Sequence, residues 1–178
     1  MTVLRRLIVA FAFLLMPGLA LAAEPLTPKQ VEGFIAVAPE LEKLGTEHAD
    51  EFDGESFQSL DAKTIVEALK AAGIAKDYEA LVKKHGFTSS FEAADVMRRV
   101  MTAYMVSAGD GDPRVQLDEA RAQVKSDDSL DEETRAGILK DIDATERAFA
   151  DVDADKPVIT PYIEQLREIF GGLVSGGE

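Results

Sequence analysis

The sequence predicts an all-α protein: an irregular bundle of about six helices, the first kinked at Pro39, behind a cleaved export signal. Three observations carry that prediction. Apolar residues recur at helical spacing along nearly the whole chain, and capping signatures stand in front of the periodic stretches. No stretch alternates polar and apolar as a half-buried strand does.

The first element is the signal, MTVLRRLIVAFAFLLMPGLALAAEP. Arg5 and Arg6 form a positive start, Leu7 to Met16 is an unbroken apolar run, and Pro17 and Gly18 break it. Ala20 and Ala22 are the small residues that a signal peptidase reads, which places cleavage after Ala22, with Ala23 the alternative. The run is short for a bilayer span, which needs roughly 20 apolar residues. The paired arginines also raise the twin-arginine route, which carries folded proteins. VLRRLIV has no polar residue before the pair, so the general route is preferred. The predicted domains are therefore 1–22, a signal peptide, and 23–178, a single helical domain with a frayed C-terminal tail. The expected location is the periplasm.

Within LTPKQVEGFI, Thr27 is a good N-cap, Pro28 suits the first helical position, and Gln30 completes a capping box. Val31, Phe34, Ile35, Ala38, Leu41 and Leu44 make one apolar stripe across Pro39, which predicts a kink or short break near Ala38. GTEHADEFDGESFQS is polar and reads as a loop. A second helix starts near Asp61, carries Ile65, Val66 and Leu69 inward and ends at Gly73; Ile74, Tyr78, Leu81 and Val82 resume the spacing. His85-Gly86-Phe87 reads as a C-cap: glycine for the left-handed position, then an apolar residue folding back.

Ser89 with Glu92 is the next capping box, opening the helix that holds MRRVMTAYM. GDGDP is a turn, and a weakly apolar helix runs from Pro113 to about Lys125. Ser129 to Glu132 reads as a further capping box, followed by an inward line of Ile138, Ile142, Thr145, Phe149 and Val152. Thr160-Pro161 repeats the cap-then-proline opening, before the stripe Tyr162, Ile163, Leu166, Ile169, Phe170 and Leu173.

Composition limits the chemistry. There is no cysteine, so disulfides, thiolate zinc sites, iron–sulfur clusters and a lipid-bearing cysteine are all excluded. The chain has 19 basic and 33 acidic residues; removing Arg5 and Arg6 with the signal leaves 17 − 33 = −16. Such a charge repels phosphate backbones and anionic headgroups, so nucleic acid is not an expected partner, nor is membrane insertion after signal cleavage. No Gly-rich phosphate loop, G-x-S-x-G or H-E-x-x-H occurs, and neither an enzyme activity nor a cofactor is expected.

Three patterns were candidate sites. Met97, Met101 and Met105 stack four residues apart and offer soft sulfur ligands of the kind Cu(I) takes. Val100, Tyr104 and Ala108 share or flank that face, so core packing is the preferred reading. DVDADKP and DGDP supply Asp110, Asp112, Asp151, Asp153 and Asp155, an oxygen-rich set suited to a Ca-like cation. After Asp151 the EF-hand glycine and glutamate positions are Lys156 and Tyr162, so no EF-hand is present. His48 sits among Glu47, Asp50, Glu51 and Asp53 in a loop, and His85 precedes the C-cap glycine, where a cation favours the helix end.

LTPKQVEGFIAVAPELEKLG, FEAADVMRRVMTAYM and VITPYIEQLREIF resemble segments of a loose group of small exported helical proteins of proteobacteria that carry no assigned activity. The matching residues are caps and stripe positions. The resemblance implies the exported helical reading and transfers no functional residue. The expectation is therefore a non-enzymatic periplasmic binding or interaction protein, for an unknown protein partner or small ligand. Its groove would be lined by Phe34, Ile35, Met101, Met105 and Phe170. The alternative is an acidic cation-binding protein using the five aspartates.

Overall fold

A computed structural model describes residues 24–48, 61–109 and 111–174. These residues are helical, with no strand among them. The elements are α1 (Pro28–Glu47), α2 (Ala62–Ala71), α3 (Ala75–Lys84), α4 (Ser90–Ala108), α5 (Pro113–Ser126), α6 (Glu132–Ala148) and α7 (Val152–Ile159). A 3-10 turn (Thr160–Tyr162) then leads into α8 (Ile163–Val174). The expected signal segment lies outside the described residues, as does the expected loop from residue 49 on; its first residues, Gly45 to Glu47, instead continue α1. Among the described residues, no helix is long and apolar enough to cross a membrane.

Local chemistry sets most boundaries. Thr27 caps α1 and exchanges hydrogen bonds with Gln30: Gln30 N–H donates to Thr27 Oγ1 at 3.3 Å, and Thr27 N–H donates to Gln30 Oε1 at 2.9 Å. The α1 helix runs through Pro39 as one element. Its buried residues are Val31, Phe34 and Val37, all before the proline, whereas Leu41 and Leu44 beyond it are only half-buried. α2 and α3 both close with a glycine at positive φ, Gly73 and Gly86. In each case the two bonds of a Schellman motif are present, Gly73 N–H to Lys70 O with Ile74 N–H to Leu69 O, and Gly86 N–H to Lys83 O with Phe87 N–H to Val82 O, each at 3.1 Å. The apolar residue after each glycine, Ile74 or Phe87, is buried.

Three boundaries differ from expectation. The N-cap of α6 is Asp131, whose carboxylate accepts from Thr134 N–H at 2.7 Å. Ser129 instead donates its N–H and hydroxyl to Asp127 in the preceding turn, a local side-chain turn that competes with capping. Glu92 reaches past Ser89 to accept from Thr88 N–H, one residue further than a capping box requires. Thr160 does not cap α8: its hydroxyl donates back to Lys156 O, and the chain stays helical from α7 through the 3-10 turn.

At the centre lies α4, packed against α1, α2, α3, α7 and α8 and touching α6. A helix surrounded this way needs small or apolar residues nearly all round, and Ala93, Ala94, Val96, Val100, Ala103 and Tyr104 supply them. The main core adds Val31, Phe34, Ile65, Leu69, Val82, Ile159, Leu166 and Phe170. An antiparallel hairpin of α5 and α6 attaches through a smaller cluster of Ala148, Phe149 and Val152, with Val106 and Leu117 against it. No residue of α5 is buried. Arg121 of α5 holds the hairpin by bonding Asp143 and Glu146 of α6.

The Tyr78 hydroxyl is buried with no hydrogen-bond partner among the described residues, and desolvation pushes its pKa up to about 12. Removing an orphaned polar atom while keeping the ring relieves a cost of about 1 kcal/mol or more. Tyr78→Phe is therefore expected to hold or raise the melting temperature, and a clear drop in calorimetry would show that the hydroxyl has a partner after all.

Candidate functional site

The most heavily constrained polar group in the molecule joins α4, α7 and the N-terminal strap, residues 24–27. Arg99 lies on the buried face of α4, in register with Val96 and Ala103, and its side chain is only 10% exposed. Asp155 lies on the buried face of α7, between Val152 and Ile159, and is fully buried. The pair is bidentate: Arg99 Nε donates to Asp155 Oδ2 at 2.7 Å and Arg99 Nη2 donates to Oδ1 at 2.6 Å. The strap closes onto both partners. Leu26 N–H donates to Asp155 Oδ1 at 2.8 Å, and Glu24 O accepts from Arg99 Nη2 at 2.8 Å. Burial opposes the guanidinium charge, but Asp155, with Asp151 and Asp95 behind it, raises the Arg99 pKa above its ordinary value.

Beside this clasp opens a cleft of about 660 Å³. Its walls are the strap (Glu24, Pro25, Thr27), the start of α1 (Lys29, Gln30) and the α3–α4 turn (His85 to Thr88), with Glu92 and Arg99 of α4 completing it. Two glycines shape the turn. A Cβ on Gly33 would stand 3.1 Å from His85 O, a tight contact that would press α1 slightly away from the turn. Gly86 sits at φ +91°, a conformation that costs an L side chain roughly 1–2 kcal/mol. Gly86→Ala is accordingly expected to lower stability by roughly 1–2 kcal/mol in urea unfolding, though no atom crowds the position. An unchanged midpoint would contradict that.

The cleft wall is electrostatically set. Hydrogen bonds from Thr88, with smaller contributions from Gln30 and the Lys29 charge, hold Glu92 below the ordinary carboxylate range. His85 Nε2 lies 2.8 Å from Glu40 Oε1, and Lys84 also bonds Glu40. Those bonds, from Lys84 first and His85 next, lower the Glu40 pKa.

The residues expected to line an apolar groove run from the core outward. Phe34 and Phe170 are buried and stack with ring centroids 5.7 Å apart, and Tyr104 tilts against Phe170 at 5.2 Å. Ile35 and Met101 pack against the same core as partly buried residues, while Met105 is 38% exposed at the far side of α4. The five residues therefore grade from core to surface. The reason is the register of α4, whose buried line is Val96, Val100 and Ala103, leaving the methionines at its edge. Met97 and Met101 are packing residues only in part.

The aspartates do not converge as a cation cage either. Asp155 and Asp151 face Arg99 and Arg98, and Asp112 and Asp153 are both taken by Arg114. Those bonds, from Asp112 first, raise the Arg114 pKa. Each carboxylate in reach thus has a guanidinium where a cation would need to sit. Asp110 lies outside the described residues. Among the described residues, no group of three or more His, Asp or Glu is placed to hold a metal. Asp151 is the N-cap of α7 and the rest of DVDADKP is helical, so Asp151 and Asp155, one turn apart, face Arg98 and Arg99 while Asp153 points to Arg114. His48 is the C-cap of α1, its N–H donating to Leu44 O.

No family model, curated protein or solved structure matches this chain.

Proposed function

We propose that this is an exported, non-catalytic binding protein of the periplasm that holds a small polar ligand in the cleft between the strap, α1 and the α3–α4 turn. The observation that carries this reading is Arg99: a guanidinium fixed by a fully buried carboxylate and lining a solvent-open cleft. Donors locked by packing and by a second layer of hydrogen bonds recognise a ligand without the entropy cost of ordering. Lys29 and Arg99 supply positive charge and Glu24 and Glu92 negative charge, so the cleft suits a compact molecule with both donors and acceptors, such as a zwitterion. Two of the cleft's proton-carrying wall residues are already engaged, Glu92 with Thr88 and His85 with Glu40, which supports binding over acid–base chemistry.

The test is native mass spectrometry on protein purified from the periplasm without chelator or tag, followed by thermal shift against amino acids, amines, dicarboxylates and polyols. A carried molecule, or a stabilising compound whose effect is lost in Lys29→Ala, supports the cleft. A clean apo protein stabilised by none of them would remove the cleft as a ligand site and leave protein contact as the function.

A further inference from the structure

Phe91 stands in the first turn of α4 with 55% of its surface exposed. It borders two concavities. One, of about 190 Å³, is lined by Val66, Leu69 and Ala75 of α2 and α3; the other, of about 380 Å³, by Ala62, Ala144 and Ala148 of α2 and α6. Neither shares a lining residue with the cleft at the strap, so this surface is independent of the ligand cleft.

The charges on these walls are unevenly committed. Every carboxylate there is taken: Asp61 accepts from Thr64 N–H at 3.0 Å as the cap of α2, Glu79 from Lys83 at 2.6 Å, and Asp95 from Arg98 Nη2 at 2.8 Å. Arg98 is taken in turn by Asp95, Asp151 and the Ala148 carbonyl. Two cations remain, Lys70 in the wall of the smaller concavity and Arg147 in that of the larger. Both are exposed, and neither side chain makes a hydrogen bond or ion pair with a described residue. Each sits in the last turn of its helix, where the helix end favours a cation by only about 0.3–1 kcal/mol and leaves its donors open.

An exposed aromatic ring with a concavity and an uncommitted cation on either side is complementary to an apolar side chain flanked by carboxylates. We propose that Phe91 is the centre of a docking site for an acidic segment of another protein. An apolar side chain of that segment packs on the ring, and its carboxylates reach Lys70 and Arg147. The concavities favour a peptide over a lipid surface, because side chains fill them and a flat bilayer does not. Two cations also gain only about 1 kcal/mol each at anionic headgroups, against the repulsion of a chain whose net charge is −14.

The test is fluorescence anisotropy with three labelled peptides, EEFEE, EEAEE and KKFKK. Each is titrated with the parent protein, with Phe91→Ala, and with the double variant Lys70→Glu, Arg147→Glu. All three positions are exposed, so the variants are expected to keep the parent's circular dichroism and melting temperature. EEFEE is expected to bind the parent at least about tenfold more tightly than EEAEE or KKFKK, and to lose at least about tenfold in either variant. Its affinity should also fall as salt is raised. The comparison of peptides on the parent decides the matter even where a variant fails to fold. No measurable binding of EEFEE, equal binding of KKFKK, or an affinity unchanged by Phe91→Ala would overturn the proposal. Sedimentation of the protein alone and flotation with phosphatidylglycerol vesicles test the other occupants. A Phe91-dependent dimer would give the surface to a second copy and Phe91-dependent vesicle binding would give it to a membrane; either result overturns the acidic segment.

Discussion

Replacing Asp155 by alanine is expected to cost about 3–5 kcal/mol of stability. Three groups lose their partner at once. The Arg99 guanidinium is left charged and nearly buried, Leu26 N–H loses its acceptor, and the strap loses its anchor to α7. At this chain length the loss corresponds to a fall in melting temperature on the order of 10 °C. A surface ion pair behaves differently: breaking the Lys63–Glu67 pair, which is largely exposed, should be worth well under 1 kcal/mol. The paired substitution Arg99→Met with Asp155→Leu is expected to recover most of the loss, since an apolar pair carries no desolvation penalty. Recovery will be incomplete, because Leu26 N–H remains without an acceptor at a cost of roughly 1–3 kcal/mol. Denaturant unfolding of the single and double variants decides the matter. An Asp155→Ala protein as stable as the parent would mean the clasp is not closed in solution.

Phe170→Ala is expected to cost about 3–5 kcal/mol, through lost burial, a residual cavity and the broken stacks with Phe34 and Tyr104. Met105→Ala, at an exposed site on α4, should stay within about 0.5 kcal/mol. The contrast discriminates between two roles for residues that a sequence reading places together. Were they the lining of a ligand groove, both substitutions would weaken binding and neither would much affect stability. Were they one core, both would destabilise. A large effect at Phe170 with almost none at Met105 identifies a core that ends part-way round α4.

Much of the fold was legible because it is local. Thr27-Pro28 with Gln30, Ser89, and the Gly86-Phe87 closure are decided by atoms within a few residues of one another, and each behaves in the structure as its chemistry dictates. The failures share a cause as well. The Thr160 and Ser129 caps were misplaced where a competing short-range acceptor was available, Lys156 O in one case and Asp127 in the other. Local rules rank such alternatives poorly, since the energies differ by about 1 kcal/mol or less.

The candidate site was almost illegible, and for a different reason. Arg99 and Asp155 are 56 residues apart, and in a chain this acidic an aspartate carries no mark of its partner. One signal was present: each is a charged residue set in an apolar register, Arg99 between Val96 and Ala103, and Asp155 between Val152 and Ile159. Reading the DVDADKP aspartates as a cation-binding set concealed the second. By itself, then, the sequence determined the helices, most of their ends, the absence of thiol chemistry and the acidic surface, all properties of residue type and short-range spacing. Tertiary structure alone decided that α4 would be enclosed, that the arginines would claim the aspartates, and that the strap would be held against them. Those outcomes depend on which helix faces meet, and burial makes an ion pair worth several kcal/mol to break that would be worth almost nothing to break in water.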